Sequence, residues 1–290
     1  ARVGAGARWQ DVLDAATPHG LAPLCGSAPG VGVVGYLTGG GIGPLVRTVG
    51  LSSDHVRAFD VVTGEGRLLR AAPDENADLF WGLRGGKATL GIVTAVEIDL
   101  LPIAEFYGGA VYFDGADAEA VLHAWGSWAP GLPETVNTSI AVQQLPPLPG
   151  VPEPLAGRMT VAVRYTAVGD FAEAERLLAS VRAAATPLMD TVGVLPYAAI
   201  GMVHADPVDP MPVNENHTLL SALPAEAIDA LLAVTGQGSG SPQVIVELRL
   251  LGGALAREPR QRSAFCHRDA QFALTVIGAL IPEIAPIVVE

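Results

Sequence analysis

The sequence predicts an α+β protein of two lobes, the first running from residue 1 to about 103 and the second from about 104 to 290. Three observations predict it. Residues 1 to about 103 mix short strands, short helices and glycine turns. After Pro102 the texture changes to longer strands with helices between them, the plan of an antiparallel sheet covered by helices on one face. Hydrophobic residues make up 50% of the 290 and charged residues 16%, which is ample for a core in each lobe.

Each element follows from its own pattern. A strand-like phrase opens the chain in "ARVGAGARWQ". "WQDVLDAATPHG" reads as a helix stopped at Pro18 and Gly20. "VRAFDVVTGEGRLLRA" reads as a hairpin, with Gly64-Glu65-Gly66 supplying the positive backbone angles of its turn. "DENADLFWGLRGG" is a short helix with Asp74 near its cap and Gly85-Gly86 past its end. "GIVTAVEIDLLP" is a strand closed by Pro102. In the second lobe, "FYGGAVYF", "VNTSIAVQQL", "RMTVAVRYTA" and "PQVIVELRLLGG" are strands. "DAEAVLHAWGSWA", "DFAEAERLLASVRAAA" and "PAEAIDALLAVT" are helices, and "PPLPGVPEPLAG" is a Pro-rich loop. "FCHRDAQFALTVIGAL" closes the set, and there is no internal repeat at solenoid periods.

Charge excludes several functions. The net charge is -13, with 17 Lys and Arg against 30 acids. The basic residues are scattered, so neither nucleic acid nor an anionic membrane is an expected partner. No apolar run reaches the roughly 18 residues that span a bilayer. The first residues lack the basic start and apolar stretch of a signal peptide, which points to a cytoplasmic protein. The opening reads as the interior of a longer chain, and the composition suits a GC-rich bacterium. Cys25 and Cys266 are expected to be small buried hydrophobes rather than a disulfide or redox pair, and no metal site is expected.

The stretch "GSAPGVGVVGYLTGGGIG", Gly26 to Gly43, holds eight glycines. Gly30, Gly32 and Gly35 spell G-x-G-x-x-G, the fingerprint of a dinucleotide-binding turn. That turn needs a buried strand before it and a helix started within it. "PLCGSAP" cannot be a buried parallel strand, and a helix from Gly32 would run into Gly35, Gly39, Gly40 and Gly41. At about 1 kcal/mol each, four interior glycines cost roughly 4 kcal/mol. Asp54 lies near the spacing of a ribose carboxylate but in a turn-like setting. Two readings remain. One is bare backbone laid close to a flat or phosphorylated ligand. The other is a glycine-rich structural loop.

The run from "GSAPGVGVVGYLTGGGIGPLVRTVGLSSDHVRAFDVVTGEGRLLRA" to "DENADLFWGLRGGKATLGIVTAVEIDL" resembles the berberine-bridge-enzyme-like FAD-linked oxidases. These are vanillyl-alcohol-oxidase-type (PCMH-type) flavoproteins that include relatives of 6-hydroxynicotine oxidase. The resemblance is dense from Ala1 to about Pro102. It is looser through "DTVGVLPYAAI", "VELRLLGGALAR" and "FCHRDAQF". It implies a PCMH-type FAD-binding domain followed by a substrate domain, with FAD as cofactor and a small molecule as substrate. By resemblance, Gly30, Val31, Gly32 and Gly35 lie along the flavin and ribityl chain. Gly39, Gly40 and Gly41 lie near the pyrophosphate, and Gly91, Ile92 and Val93 at the adenosine end. Tyr36 stands near the pyrimidine edge, either donating to the ring or serving as an aromatic wedge in the core. Asp54 matches a recurrent acid and reads as tying its own loop. Ala28 replaces the cysteine of bicovalent members, so no cysteinyl link is expected. A histidyl link would need a loop absent from this sequence. The resemblance also implies hydride transfer to flavin N5 and reoxidation by oxygen.

On the second lobe, "QVIVELRLL" alternates. Val244, Val246, Leu248 and Leu250 point one way, toward helices, and Gln243, Glu247 and Arg249 the other. Glu247 and Arg249 are candidates for proton removal or substrate orientation, or they form a cross-strand ion pair. His267 either reaches the site or is a core histidine. His267-Arg268-Asp269 spells a kinase catalytic loop, but position 274 is Leu where that loop needs Asn, and no D-F-G follows. The triplets at Asn137 and Asn216 spell glycosylation sites and read as accidental. The alternative to an oxidase is a remnant of the same fold that binds a small molecule or partner without turnover.

Overall fold

The computed structural model describes residues 1–147, 150–207, 209, 211–282 and 285–288. Two compact units emerge. The first comprises Ala1–Phe106, Leu195–Val208 and Gly253–Arg268. The second comprises Tyr107–Val194, Asp209–Gly252 and Asp269–Glu290. The first crossing falls between Phe106 and Tyr107, and two later segments return to the first unit.

In the first unit, β1 (Arg2–Gly4), β2 (Val56–Val62), β3 (Leu68–Ala71) and β4 (Ile92–Ile98) form an antiparallel sheet of order β1-β4-β2-β3. Four helices accompany it: α1 (Trp9–Ala16), α2 (Val33–Thr38), α3 (Val46–Val49) and α4 (Ala77–Leu83). Helix α1 buries Trp9, Val12, Leu13 and Ala16, the spacing of a single apolar face. It ends in a 3-10 turn over Thr17–His19 and then Gly20 at φ 69°, as its Pro and Gly require. The hairpin forms between β2 and β3, and of its turn glycines Gly66 takes the positive φ, 75°. Phe59 of β2 meets Phe80 of α4, ring centroids 6.2 Å apart.

Two expectations in this unit are corrected. Asp74 does not cap α4. Asn76 precedes the helix at φ 51°, and its amide nitrogen donates to the Arg70 carbonyl at 2.6 Å. An asparagine tolerates the left-handed region because its short amide bonds locally. The glycine stretch is not free of helix either. Gly32 is the N-cap of α2, Gly35 lies inside it, and Gly39 ends it. A six-residue helix meets only one interior glycine penalty, and it stops where the triple glycine begins.

The second unit carries one mixed-length sheet among the described residues. Its strands are β5 (Glu105–Asp114), β6 (Val136–Gln144), β7 (Met159–Ala167), β8 (Met189–Asp190), β9 (Gly193–Pro196), β10 (Val213–Leu220), β11 (Gln243–Leu250) and β12 (Phe272–Ala279). The order is β10-β12-β11-β6-β7-β5-β8, with β9 paired to β5. Strand β5 begins and β9 ends in residues of the first unit. Helices α5 (Ala118–Trp128), α6 (Phe171–Arg182) and α7 (Ala225–Thr235) contribute to the core, and α8 (Ala285–Val288) follows β12. That core joins Val111, Ile140, Val163, Leu248 and Phe272 from the strands to Trp125, Leu178 and Ile228 from the helices. Trp125 Nε1 donates to Thr138 Oγ1 at 3.1 Å, and the Tyr165 hydroxyl to the Ala174 carbonyl at 2.9 Å, so both buried polar tips are satisfied. Burial pushes the Tyr165 phenol well above its ordinary range.

Strand β10 was not expected. Its sequence, "VNENHTLL", lacks apolar alternation because it is an edge strand, exposed along most of its length and paired on one side with β12. Leu148 and Pro149 of the Pro-rich loop lie outside the described residues. No helix among the described residues is long and apolar enough to cross a membrane.

Candidate functional site

In the first unit the glycine stretch is pinned before it turns. Trp9 N–H donates to the Val31 carbonyl at 3.0 Å, and Val33 N–H to the Ala7 carbonyl at 3.1 Å. Gly30 lies in a turn closed by Val31 N–H on the Ala28 carbonyl at 3.1 Å, Gly32 is extended and bridges to Arg8, and α2 starts from it. Gly30, Gly32 and Gly35 are exposed, and a Cβ on any of them would meet no atom within 4 Å. Val31 between them is also exposed. Here the backbone presents an open surface, which fits a flat or extended group such as FAD lying along it.

Gly40 and Gly41 are different. Both are buried, with φ at 102° and 82°. A Cβ on Gly40 would strike the Phe265 ring at 2.6 Å. One on Gly41 would strike the Tyr36 ring at 2.7 Å and Ser52 Cβ at 2.9 Å. The close approach expected at these two glycines is therefore made by the protein's own rings. Gly39 N–H and Gly40 N–H are spent on the Tyr36 and Leu37 carbonyls at the end of α2. Tyr36 is half-buried, with its ring between Gly26, Gly41 and Gly43 and edge-on to Trp9 at 5.7 Å. The ring thus packs among its own loop's glycines.

The cation at this turn is Lys87, which the sequence reading passed over. Its Nζ donates to the Gly35 carbonyl at 3.2 Å and lies 2.7 Å from where a Gly39 Cβ would stand. Its backbone sits at φ 64°, ψ -169°, a region that almost only glycine enters and that costs about 1–3 kcal/mol. Gly91 sits at φ 148°, where a Cβ would strike Val61 at 2.7 Å and the Val62 carbonyl at 2.8 Å, so close strand packing demands glycine. Ile92 beside it is 73% exposed and Val93 is buried.

The motif "DLFWGLRGG" receives the returning segment. Arg84 is 1% exposed and donates to the Gln261 carbonyl at 3.1 Å and to the Arg262 carbonyl, with its guanidinium 4.2 Å from the Phe80 ring centroid. Burial pulls its pKa down to about 10. A Cβ on Gly85 would meet Phe265 N at 2.6 Å. Asp54 ties its own loop, as expected, through Leu51 N–H at 3.1 Å. It also takes a bidentate pair from Arg268, at 2.7 and 3.0 Å. His267 is neither a core histidine nor part of the second unit. It is exposed, at φ 57°, in the first. Cys25 is buried, its thiol pushed up to about 12, whereas Cys266 is exposed, contrary to expectation.

In the second unit, register builds a polar sheet face. Residues Thr160, Ala162, Arg164 and Thr166 of β7 alternate with the core residues Val161, Val163, Tyr165 and Ala167. Asn137, Ser139, Ala141 and Gln143 do the same on β6, and Glu247 and Arg249 on β11. Ser139 pairs with Arg164 on one side and Arg249 on the other, and Ala141 lies opposite Glu247. Because Ser139 and Ala141 are small, side chains from the flanking strands meet across β6. Arg164 donates to Glu247 Oε2 at 2.5 Å, and Arg249 to Oε1 at 2.9 and 3.0 Å. Arg164 and Glu247 are buried, Arg249 partly so. Among the described residues, Arg164 and Arg249 share the Glu247 carboxylate. Ser139 Oγ, Gln143 Oε1, Thr160 Oγ1 and Arg164 Nε are buried on this face without a hydrogen-bond partner among the described residues. Such orphaned atoms mark a place where water or a ligand completes the bonding. Arg164 was missed in the sequence, although a lone charge inside "TVAVRYTA" was the signal.

Comparison with known proteins bears on both units. Residues 1–72 match the FAD binding domain family. The chain is 33% identical over 128 residues to the FAD-dependent monooxygenase prx3 of Penicillium roqueforti, covering 44% of this chain and 25% of that protein. It is 29% identical over 216 residues to the (R)-6-hydroxynicotine oxidase of Paenarthrobacter nicotinovorans, covering 71% of this chain and 44% of that protein. The chain thus spans a quarter to less than half of these relatives. The solved structure of Physcomitrella patens BBE-like 1 superposes with a TM-score of 0.81 at 19% identity, covering 99% of this chain and 64% of that one. The fold is therefore that of the berberine-bridge-enzyme-like flavoproteins, and FAD is the cofactor of the matched domain.

Proposed function

We propose that this protein is an FAD-dependent oxidase that takes a hydride from a carbon bearing an alcohol or amine in a small-molecule substrate, with oxygen as final acceptor. The observation that carries the reading is the open backbone of Gly30, Gly32 and Gly35 within the stretch matched to the FAD binding domain. FAD, when bound, supplies the two-electron acceptor, and the chain supplies binding, orientation and exclusion of water. Gly30, Val31, Gly32 and Gly35 would hold its flavin and ribityl part, with Tyr36 keeping that segment in place from behind. Gly39 would lie toward the diphosphate. Gly91 and the exposed Ile92 would take the adenosine end, with Val93 anchoring their strand.

For the substrate, the polar face of the second unit supplies hydroxyl, amide and guanidinium groups. Both oxygens of Glu247 are engaged by arginines, so it suits fixing Arg249 better than removing a proton. Arg249 then orients the substrate. The test is direct. Purified protein incubated with FAD develops the visible flavin band, and an alcohol or amine from a substrate panel bleaches it without oxygen. R249M slows bleaching about 10²-fold and leaves the band intact, the usual cost of lost orientation. A preparation that stays colourless with FAD sinks the reading in favour of a non-catalytic binding protein.

A further inference from the structure

Lys87 holds a backbone conformation that a glycine would occupy without strain, and its ammonium lies along α2 beside the open glycines. The carbonyl of Gly35 draws that ammonium, but an exposed lysine-to-carbonyl contact does not account for a strained residue where glycine would serve. Strain kept at one position points to a task for its side chain. Three neighbouring backbone donors are already engaged: Gly39 and Gly40 N–H serve the end of α2, and Lys87 N–H serves the Thr38 carbonyl at 2.9 Å. The chain carries a net charge of -13, so a diphosphate settling here needs a local cation.

We propose that Lys87 is a cofactor-binding residue whose ammonium pairs with the diphosphate of FAD at the Gly35–Gly39 edge. This inference rests on the FAD reading above. The test compares two probes by quenching of flavin fluorescence in flavin-free protein: FAD, and riboflavin, which has the ring and ribityl chain but no diphosphate. K87G relieves the strain and removes the charge, K87M removes the charge alone, and K87R keeps it.

The expected result is that K87G and K87M weaken FAD about tenfold and leave riboflavin unchanged. K87R stays within about threefold of wild type for FAD. Raising salt narrows the gap between wild type and K87G. K87G melts no lower than wild type, which excludes misfolding as the cause. Equal FAD affinity in wild type and K87G, or equal loss for both probes, overturns the role of Lys87 while leaving the cofactor reading standing. Wild type that binds neither flavin overturns that reading and this inference with it.

Discussion

Arg84 is buried in the first unit and Arg164 in the second, and these two are satisfied in opposite ways. Arg84 in the first unit donates to two backbone carbonyls and lies over a phenyl ring. Arg164 in the second donates to the carboxylate of Glu247. Carbonyl partners bond a guanidinium without neutralising it, which is why burial lowers the pKa of Arg84. A carboxylate partner neutralises it and places a second charge beside it. The first arrangement fastens chain: Arg84 grips residues 261 and 262, and Phe265 drops into the niche of Gly40 and Gly85. The second builds a charged spot on a sheet face, with Arg249 on the same carboxylate. A buried arginine is thus no signature of a site until its partner is known.

The comparison can be broken by mutation. E247A leaves two guanidiniums without their carboxylate and costs about 3–5 kcal/mol in urea unfolding. The double variant R164M/E247L recovers part of that loss, since Arg249 still lacks its carboxylate. R84M also removes a buried charge, but leaves two carbonyls short of a donor and costs less, about 2 kcal/mol. A larger loss for R84M than for E247A would reverse the contrast. G40A forces a methyl into the Phe265 ring at φ 102° and costs about 1–3 kcal/mol in thermal melting, whereas G30A changes stability by under about 0.5 kcal/mol. G35A stabilises the flavin-free protein by up to about 1 kcal/mol, as Ala does inside a helix, yet weakens FAD. Unchanged FAD binding in G35A would mean the open side of α2 faces nothing.

The smallest effect belongs to a surface pair. Arg70 donates to both Glu97 oxygens, at 2.8 and 2.9 Å, and holds that carboxyl below its ordinary 4.5. A lowered folded pKa means the contribution is complete above the unfolded value and fades as pH falls through the folded one. Both groups are substantially exposed, so salt and water reduce it. The urea midpoints of wild type and R70Q should differ slightly at pH 6 and converge near pH 2.

Much of the fold was legible because the relevant physics is local. The apolar face of α1, its stop at Pro18 and Gly20, and the alternation in β6, β7 and β11 are all periodicities of neighbouring residues. Glu247 and Arg249 were legible as charges on the face away from the core. Arg164 was not, since it lies 83 residues from Glu247, two strands away, and meets it only because Ser139 and Ala141 between them are small. His267 was misplaced because its neighbours in sequence belong to two units.

By itself the sequence determined the α+β class, the run of helices and strands, the likeness to FAD-linked oxidases, and a glycine stretch in which side chains are excluded. Only the tertiary structure decided why each glycine is there. Gly30, Gly32 and Gly35 face open space, while Gly40 and Gly41 make room for Phe265 and Tyr36. Glycine is one letter for two opposite demands, a surface left bare and a niche filled by another residue. What stands against the missing side chain is supplied by residues distant in sequence, so no local pattern can distinguish them.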